Sequence, residues 1–152
     1  MSKFWIYVRS ILIPVIMGGI IGLITSGSND FNVLQKPPLS PPSILFPIVW
    51  TILYILMGIS YGILKTNKLT DKNIDKMYYG QLIVNGLWSI FFFIFKWRLF
   101  SLLWIILLGI LVIIMIIEFY KKNKIAGLLQ IPYIVWVLFA TYLNFGFYLL
   151  NK

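Results

Sequence analysis

Cysteine and histidine are absent from this 152-residue sequence, and acidic residues number only 4. Those absences exclude much chemistry. No disulfide can form, and no zinc site of the usual donors, thiol nucleophile, Ser-His-Asp triad or His-ligated haem can be built. No metal centre is expected, and cysteine usage is silent on redox compartment. Charged residues make up 11% of the chain, whereas 61% is hydrophobic and 18% aromatic. Soluble domains run near ~25% charged and ~45–50% apolar. With a mean hydropathy of +0.93, an ordinary soluble enzyme is excluded. The net charge of +9 would point to nucleic acid in a soluble protein. Here the basic residues stand between apolar blocks, so they read as membrane-flanking charge and no nucleic-acid partner is expected.

A membrane-crossing helix needs about 20 mostly apolar residues. Stretches at about 4–25, 43–64, 76–95, 99–120 and 125–150 meet that test. Inside lipid every backbone N–H and C=O must be paired within the chain, so apolarity of this length implies helix. The apolar runs are continuous rather than alternating with period two, which argues against a β-barrel. The expected fold is an all-α membrane protein: one domain over 1–152, a bundle of five transmembrane helices, with the lipid bilayer as its surroundings. Lys3 and Arg9 precede an apolar run in the manner of a signal peptide, but no clear small-x-small cleavage site follows, so the first helix is expected to be retained. Lys3, Arg9, Lys65, Lys68, Lys72, Lys76, Lys121, Lys122 and Lys124 fall on one face of a five-span topology. Only Lys36, Lys96, Arg98 and Lys152 fall on the other. The positive-inside rule then expects a cytoplasmic N-terminus and an outward C-terminus in a bacterial plasma membrane.

Asp30, Asp71 and Asp75 read as loop residues, and Glu118 lies near the end of the fourth block beside Lys121 and Lys122. Ion-coupled transport therefore lacks its commonest element, an intramembrane carboxylate or histidine. Neutral polar and aromatic residues remain at helical spacing. Gln81, Asn85, Trp88 and Phe92 share one helix face, as do Tyr133, Trp136, Ala140 and Asn144, and Phe46, Trp50, Tyr54 and Tyr61. An amide in hydrocarbon needs a partner, so these faces point into the bundle. They describe either a pocket for a flat apolar ligand or simply interhelical glue and core packing. Pro14, Pro47 and Pro132 each remove a backbone donor and are expected to bend their helices. The Gly18/Gly22 and Gly58/Gly62 pairs read as close packing within the chain or as a dimer face. Pro37-Pro38-Leu39-Ser40-Pro41-Pro42 is a stiff, extended segment. It reads as a lid over the bundle end, or as a turn launching the second helix with Ser40 or Ser43 as its cap.

Taken together, Lys36-Pro37-Pro38-Leu39-Ser40-Pro41-Pro42 with Pro47-Ile48-Val49-Trp50-Thr51-Ile52-Leu53-Tyr54, then Gln81-Leu82, Asn85 and Trp88, then Pro132-Tyr133, Trp136, Phe139-Ala140-Thr141 and Leu143-Asn144 resemble the translocator protein or tryptophan-rich sensory protein family (TspO/MBR). The resemblance runs from about residue 14 to 151 in register. It implies a five-helix bundle, often homodimeric, whose pocket binds porphyrin or haem-like tetrapyrroles, with no obligatory cofactor. Carried over position by position, the ligand-binding residues are Phe31, Phe46, Trp50, Asn85, Trp88, Trp136, Ala140 and Asn144. The tryptophans tied to tetrapyrrole chemistry correspond to Trp50 and Trp136, the sole catalytic candidates. The chain departs from the family pattern at Leu39, where Trp is frequent, at Phe31, where Tyr is usual, and near Trp104, where an acidic residue is common. The expectation is a tetrapyrrole-binding sensor or regulator. The alternatives are a porphyrin-degrading enzyme that uses oxidisable Trp side chains in light and oxygen, and a transporter of tetrapyrroles or lipids.

Overall fold

Five helices long and apolar enough to cross a membrane run through the computed structural model, which describes residues 2–28 and 33–152. No strand occurs among the described residues. α1 spans Lys3–Ser26, α2 Leu45–Thr66, α3 Lys72–Ser89 and α4 Arg98–Lys122. The last span divides into a short α5, Lys124–Leu128, and α6, Ile131–Asn151. α1 packs along α2, α3 along α4, and α4 along both α5 and α6; α2 meets α5 and α1 meets α3. These pairings close a ring in the order α1, α2, α5/α6, α4, α3.

Local chemistry sets the helix ends. The Asp71 side chain accepts from the Ile74 N–H at 2.8 Å, an N-cap that satisfies one of the orphan donors of the first turn. α3 therefore starts at Lys72 rather than near residue 76, and Asp75 lies in its first turn instead of a loop. Asn123 caps α5 in the same way, accepting from Ala126. α2 has no side-chain cap at Ile44. Ser40 instead donates to the Pro37 carbonyl at 2.7 Å, so the expected serine cap is absent. Pro47 and Pro132 fall within the first turns of α2 and α6. There the missing N–H would have had no intrahelical partner, so neither bends a helix interior. Pro14 alone sits inside a helix.

Pro14 frees the carbonyl of Ser10, four residues earlier. Gly58 of α2 lies against that stretch. A Cβ on Gly58 would stand 2.4 Å from the Ile11 Cα and 2.6 Å from the Ser10 carbonyl oxygen. One turn on, a Cβ on Gly62 would meet the Tyr7 ring at 2.6 Å. Gly18 is likewise occupied, by the Tyr54 ring. These small residues let α1 and α2 touch within the chain, as small-residue stripes do in membranes.

α3 ends in a π-helical turn over Ile90–Ile94. Such wide turns are often found at functional sites. Nothing in the apolar pattern announces it. The residues between 33 and 42 then matter for the opposite wall. The Asn151 amide accepts from the Gln35 N–H at 2.9 Å and donates to the Gln35 carbonyl at 2.8 Å. Tyr142 Oη donates to the Pro38 carbonyl at 2.6 Å, and Pro37 is buried against Gly146. This connection is strapped to α6 across one end of the bundle. Leu39 crosses the strap with φ 70 and its side chain exposed.

Polarity is turned inside out relative to a soluble protein. Ser60, Gln81, Asn85, Gln130 and Asn144 are buried, while Leu103, Ile110, Ile113, Ile117, Val135 and Leu138 face outward. That is the arrangement a hydrocarbon solvent requires. Glu118 pairs with Lys121 at 3.1 Å, and Asp71 with Lys122 at 3.3 Å, both at the end opposite the strap.

Candidate functional site

Beneath the strap, the upper halves of α1, α2, α3 and α6 stand around a cavity of about 640 Å³, inside the ~300–1,000 Å³ range typical of small-molecule sites. α2 contributes Phe46, Trp50 and Tyr54, α3 contributes Trp88, and α6 contributes Trp136, Ala140 and Asn144. Adjacent Phe92 and Phe93 both reach it from the π-helical turn. No Lys, Arg, Asp or Glu occurs among the described lining residues.

The rings form a connected wall. Trp136 meets Phe46 edge-on at 5.8 Å and Trp50 at 6.4 Å and 87°. Trp50 stacks on Tyr54 at 5.7 Å and meets Tyr133 edge-on at 6.3 Å. Offset and edge-to-face arrangements at these separations are favourable beyond their buried area. On the other side, Trp88 stacks on Phe92 at 5.3 Å. The Arg98 guanidinium covers the Phe92 ring at 4.6 Å, a cation–π contact that brings a positive charge just behind the wall.

The polar groups divide into committed and uncommitted ones. Asn144 Oδ1 accepts from Trp88 Nε1 at 2.9 Å, and its Nδ2 donates to the Arg98 carbonyl at 3.0 Å. It therefore fixes the Trp88 ring plane and ties α6 to the start of α4. Asn85 does not line the cavity. It sits below it, accepting from Tyr54 Oη at 2.6 Å and donating to Tyr133 Oη at 2.8 Å. Tyr133 in turn donates to Gln81 Oε1 at 2.6 Å, and Gln81 Nε2 donates to the Tyr78 carbonyl. This polar chain is the floor of the cavity. Trp136 Nε1 is different, because it is buried and has no hydrogen-bond partner. A buried donor left unpaired is costly.

Of the residues singled out from the sequence, Phe46, Trp50, Trp88, Trp136, Ala140 and Asn144 come together around the cavity. Asn85 stands one layer below, and Phe31 lies outside the described residues. Trp104, a position of departure from the family pattern, donates to the Val84 carbonyl at 2.8 Å and so serves α3–α4 packing. Sequence reasoning missed the fourth wall, made of Gly18, Gly19, Gly22 and Thr25 on α1. It also missed the floor as a network, although Gln81, Tyr54 and Tyr133 lay on the inward faces it had identified.

Comparison with known proteins finds relatives along most of the chain. A family model described as the TspO/MBR family matches residues 10–149. The tryptophan-rich protein TspO of Archaeoglobus fulgidus is 44% identical over 119 residues, covering 78% of this chain and 77% of that protein. Protein CrtK of Rhodobacter capsulatus is 34% identical over 137 residues, covering 88% of this chain and 85% of its own length. The translocator protein of Bos taurus is 28% identical over 152 residues, covering 95% and 90% respectively.

Proposed function

The chain belongs to the TspO/MBR family, and from that premise we propose that it is a membrane sensor or regulator that binds a porphyrin-type tetrapyrrole in the aromatic cavity under the strap. The observation that carries this reading is the cavity's chemistry: about 640 Å³ walled by indole and phenyl rings, with no ionisable Lys, Arg, Asp or Glu among the described lining residues. A conjugated macrocycle matches such walls, because its π-face stacks on Trp50, Trp136 or Phe46 while its apolar edge displaces little that is polar. The carboxylates of such a ligand would reach Lys36 or solvent at the strap, the end whose other basic residues are Lys96, Arg98 and Lys152. Lys and Arg are sparser at that end than at the other, which favours an outward-facing strap.

The chain has no His or Cys, and the Tyr54 phenol is committed to Asn85. Binding therefore rests on ring contact rather than on axial metal ligation, and haem and metal-free porphyrin should bind with similar affinity. Titration of protoporphyrin IX into the protein in nanodiscs, followed by the Soret band, tests the reading. Trp50→Ala and Trp136→Ala should each weaken binding by about tenfold, the weight of about 1.4 kcal/mol of ring contact. Unchanged affinity in both variants would remove the cavity as the site.

A second reading, light- and oxygen-dependent breakdown of the bound porphyrin, is favoured by one observation: the oxidisable indoles of Trp50 and Trp136 lie 6.4 Å apart on the same wall. Oxygen-dependent loss of the Soret band under illumination would support it. A Trp136→Phe variant that loses the band at the wild-type rate would end the assignment to that residue.

A further inference from the structure

The α1–α2 seam changes character along its length. From its lower end up to Gly18 the helices touch: Gly58 meets the backbone at Ser10 and Ile11, Gly62 meets Tyr7, and Gly18 meets Tyr54. Beside and above Gly18, two further glycines stand clear of any neighbour. A Cβ on Gly19 or Gly22 would find nothing within 4 Å. Both glycines nevertheless line the cavity, as do Pro47 and Thr51 across the seam on α2. All four are also exposed, unlike the buried residues on the other walls. The opposite walls are closed, since Trp88, Phe92, Ala140 and Asn144 line the same cavity and are buried. The end of the cavity is crossed by the strap, which is tied down on α6 through Tyr142 and Asn151.

Depth decides what this open side faces. Gly19 stands seven residues before the end of α1 at Ser26, and Thr51 six residues after the start of α2 at Leu45. At about 1.5 Å rise per residue, both lie about 9–10 Å below the helix ends. With a hydrocarbon core about 30 Å thick, that level belongs to the acyl chains rather than the headgroups. We infer that the cavity opens sideways into the bilayer between α1 and α2, through a mouth framed by Gly19, Gly22, Pro47 and Thr51, and that its ligand is a membrane-dissolved molecule that enters from the hydrocarbon. This rests on the proposed reading of the cavity as a ligand site. It narrows the ligand class to compounds with a large apolar body that partition into lipid. Glycine suits the mouth, because any larger side chain at Gly19 or Gly22 would project into the gap.

The absence of cysteine makes the test direct. Gly22→Cys and Thr51→Cys, each carrying a nitroxide label in proteoliposomes, are probed by collision with oxygen and with a water-soluble nickel chelate; an Asn67→Cys label at the exposed opposite end reports the aqueous limit. Lipid exposure at both mouth positions appears as strong oxygen and weak chelate collision. Chelate access matching that at Asn67 would overturn the proposal, and this arm needs no ligand. Protoporphyrin IX supplied from preloaded vesicles then tests entry. Gly22→Phe, which fills open space rather than packed core, should slow loading by about tenfold or more, as a blocked gate does. A Gly22→Phe protein that loads from the bilayer at the wild-type rate would also overturn it. Failure of the wild type to take up porphyrin at all would instead count against the proposed ligand class, with the label measurements still deciding whether the mouth faces lipid.

Discussion

Truncating Asn85 tests the polar floor on which the cavity stands. The side chain holds two tyrosines at once, accepting from Tyr54 at 2.6 Å and donating to Tyr133 at 2.8 Å. Asn85→Ala strands the Tyr54 hydroxyl in a buried position, while Tyr133 keeps Gln81 as its acceptor. A buried polar group without a partner costs about 1–3 kcal/mol, whereas interhelical hydrogen bonds in membranes average about 0.6 and reach about 1.7 kcal/mol. Two such bonds plus the small void left behind put the loss at about 2–4 kcal/mol. Tyr54→Phe removes one bond and should cost about 1 kcal/mol. The double variant no longer contains a stranded hydroxyl, so its loss should fall short of the summed single losses by about 1 kcal/mol. Reversible unfolding in mixed detergent micelles measures all three. Losses that add to within about 0.3 kcal/mol, or an Asn85→Ala loss below about 0.5 kcal/mol, would refute the idea that this network is a coupled unit.

Three further predictions follow from single contacts. Gly58→Ala forces a Cβ against the α1 backbone, 2.4 Å from the Ile11 Cα, where no side chain can yield; thermal unfolding should show a loss of about 1–3 kcal/mol, against little change for Gly19→Ala. Asn151→Ala removes both hydrogen bonds to Gln35, and cleavage between residues 33 and 42 by an added protease should accelerate with the helices intact by circular dichroism. The Asp71 carboxyl is held below its ordinary value, first by the Ile74 N–H and then by Lys122. A lowered folded-state pKa contributes stability above the unfolded value of about 3.9 that is lost as pH falls through the folded one. Asp71→Asn should therefore flatten the acid limb of the stability–pH profile; an unchanged limb would show that the cap carries no such linkage.

The five spans were legible because apolarity over helix length leaves the backbone no other way to pair. Much of the cavity wall was legible as well. Phe46, Trp50 and Tyr54 on α2, Trp88 with Phe92 on α3, and Trp136, Ala140 and Asn144 on α6 recur every four residues, which fixes the helix face each set shares. Spacing does not fix height along the bundle. Asn85 lies on the same face as Trp88, but nearly one turn lower, and that turn separates a wall residue from a floor residue. The α1 wall was illegible for another reason. A glycine that seals an interface and one that leaves a gap have the same sequence signature, and Gly18 and Gly22 do one each. The α3 start was misread because Asp71 and Lys72 are polar; a cap and first turn at the membrane edge need no apolar residue. The strap's attachment to Asn151 spans more than a hundred residues, beyond the reach of any local pattern.

Tyr54 shows why packing and hollowness coexist in one bundle. Its ring fills the space left by Gly18, its face stacks on Trp50, and its hydroxyl reaches Asn85. Below it, α1 and α2 are drawn together by Gly58 and Gly62, and α2, α3 and α6 are joined through Asn85 and Tyr133. Above it, no buried hydrogen bond in the described residues joins α1 to a neighbour, and the space goes to the cavity. A membrane bundle cannot rely on hydrophobic exclusion to close such a space, since lipid tails are as apolar as its walls. Rigidity must come from the polar floor, and the hollow half can stay open because the packed half holds the helices apart at a fixed angle. On this account, loosening the floor at Asn85 should alter the cavity through Tyr54 and Trp50 without touching its walls. The Trp50 emission spectrum of Asn85→Ala, read with the other tryptophans replaced by Phe, should shift, and an unshifted spectrum would show that floor and wall are mechanically independent.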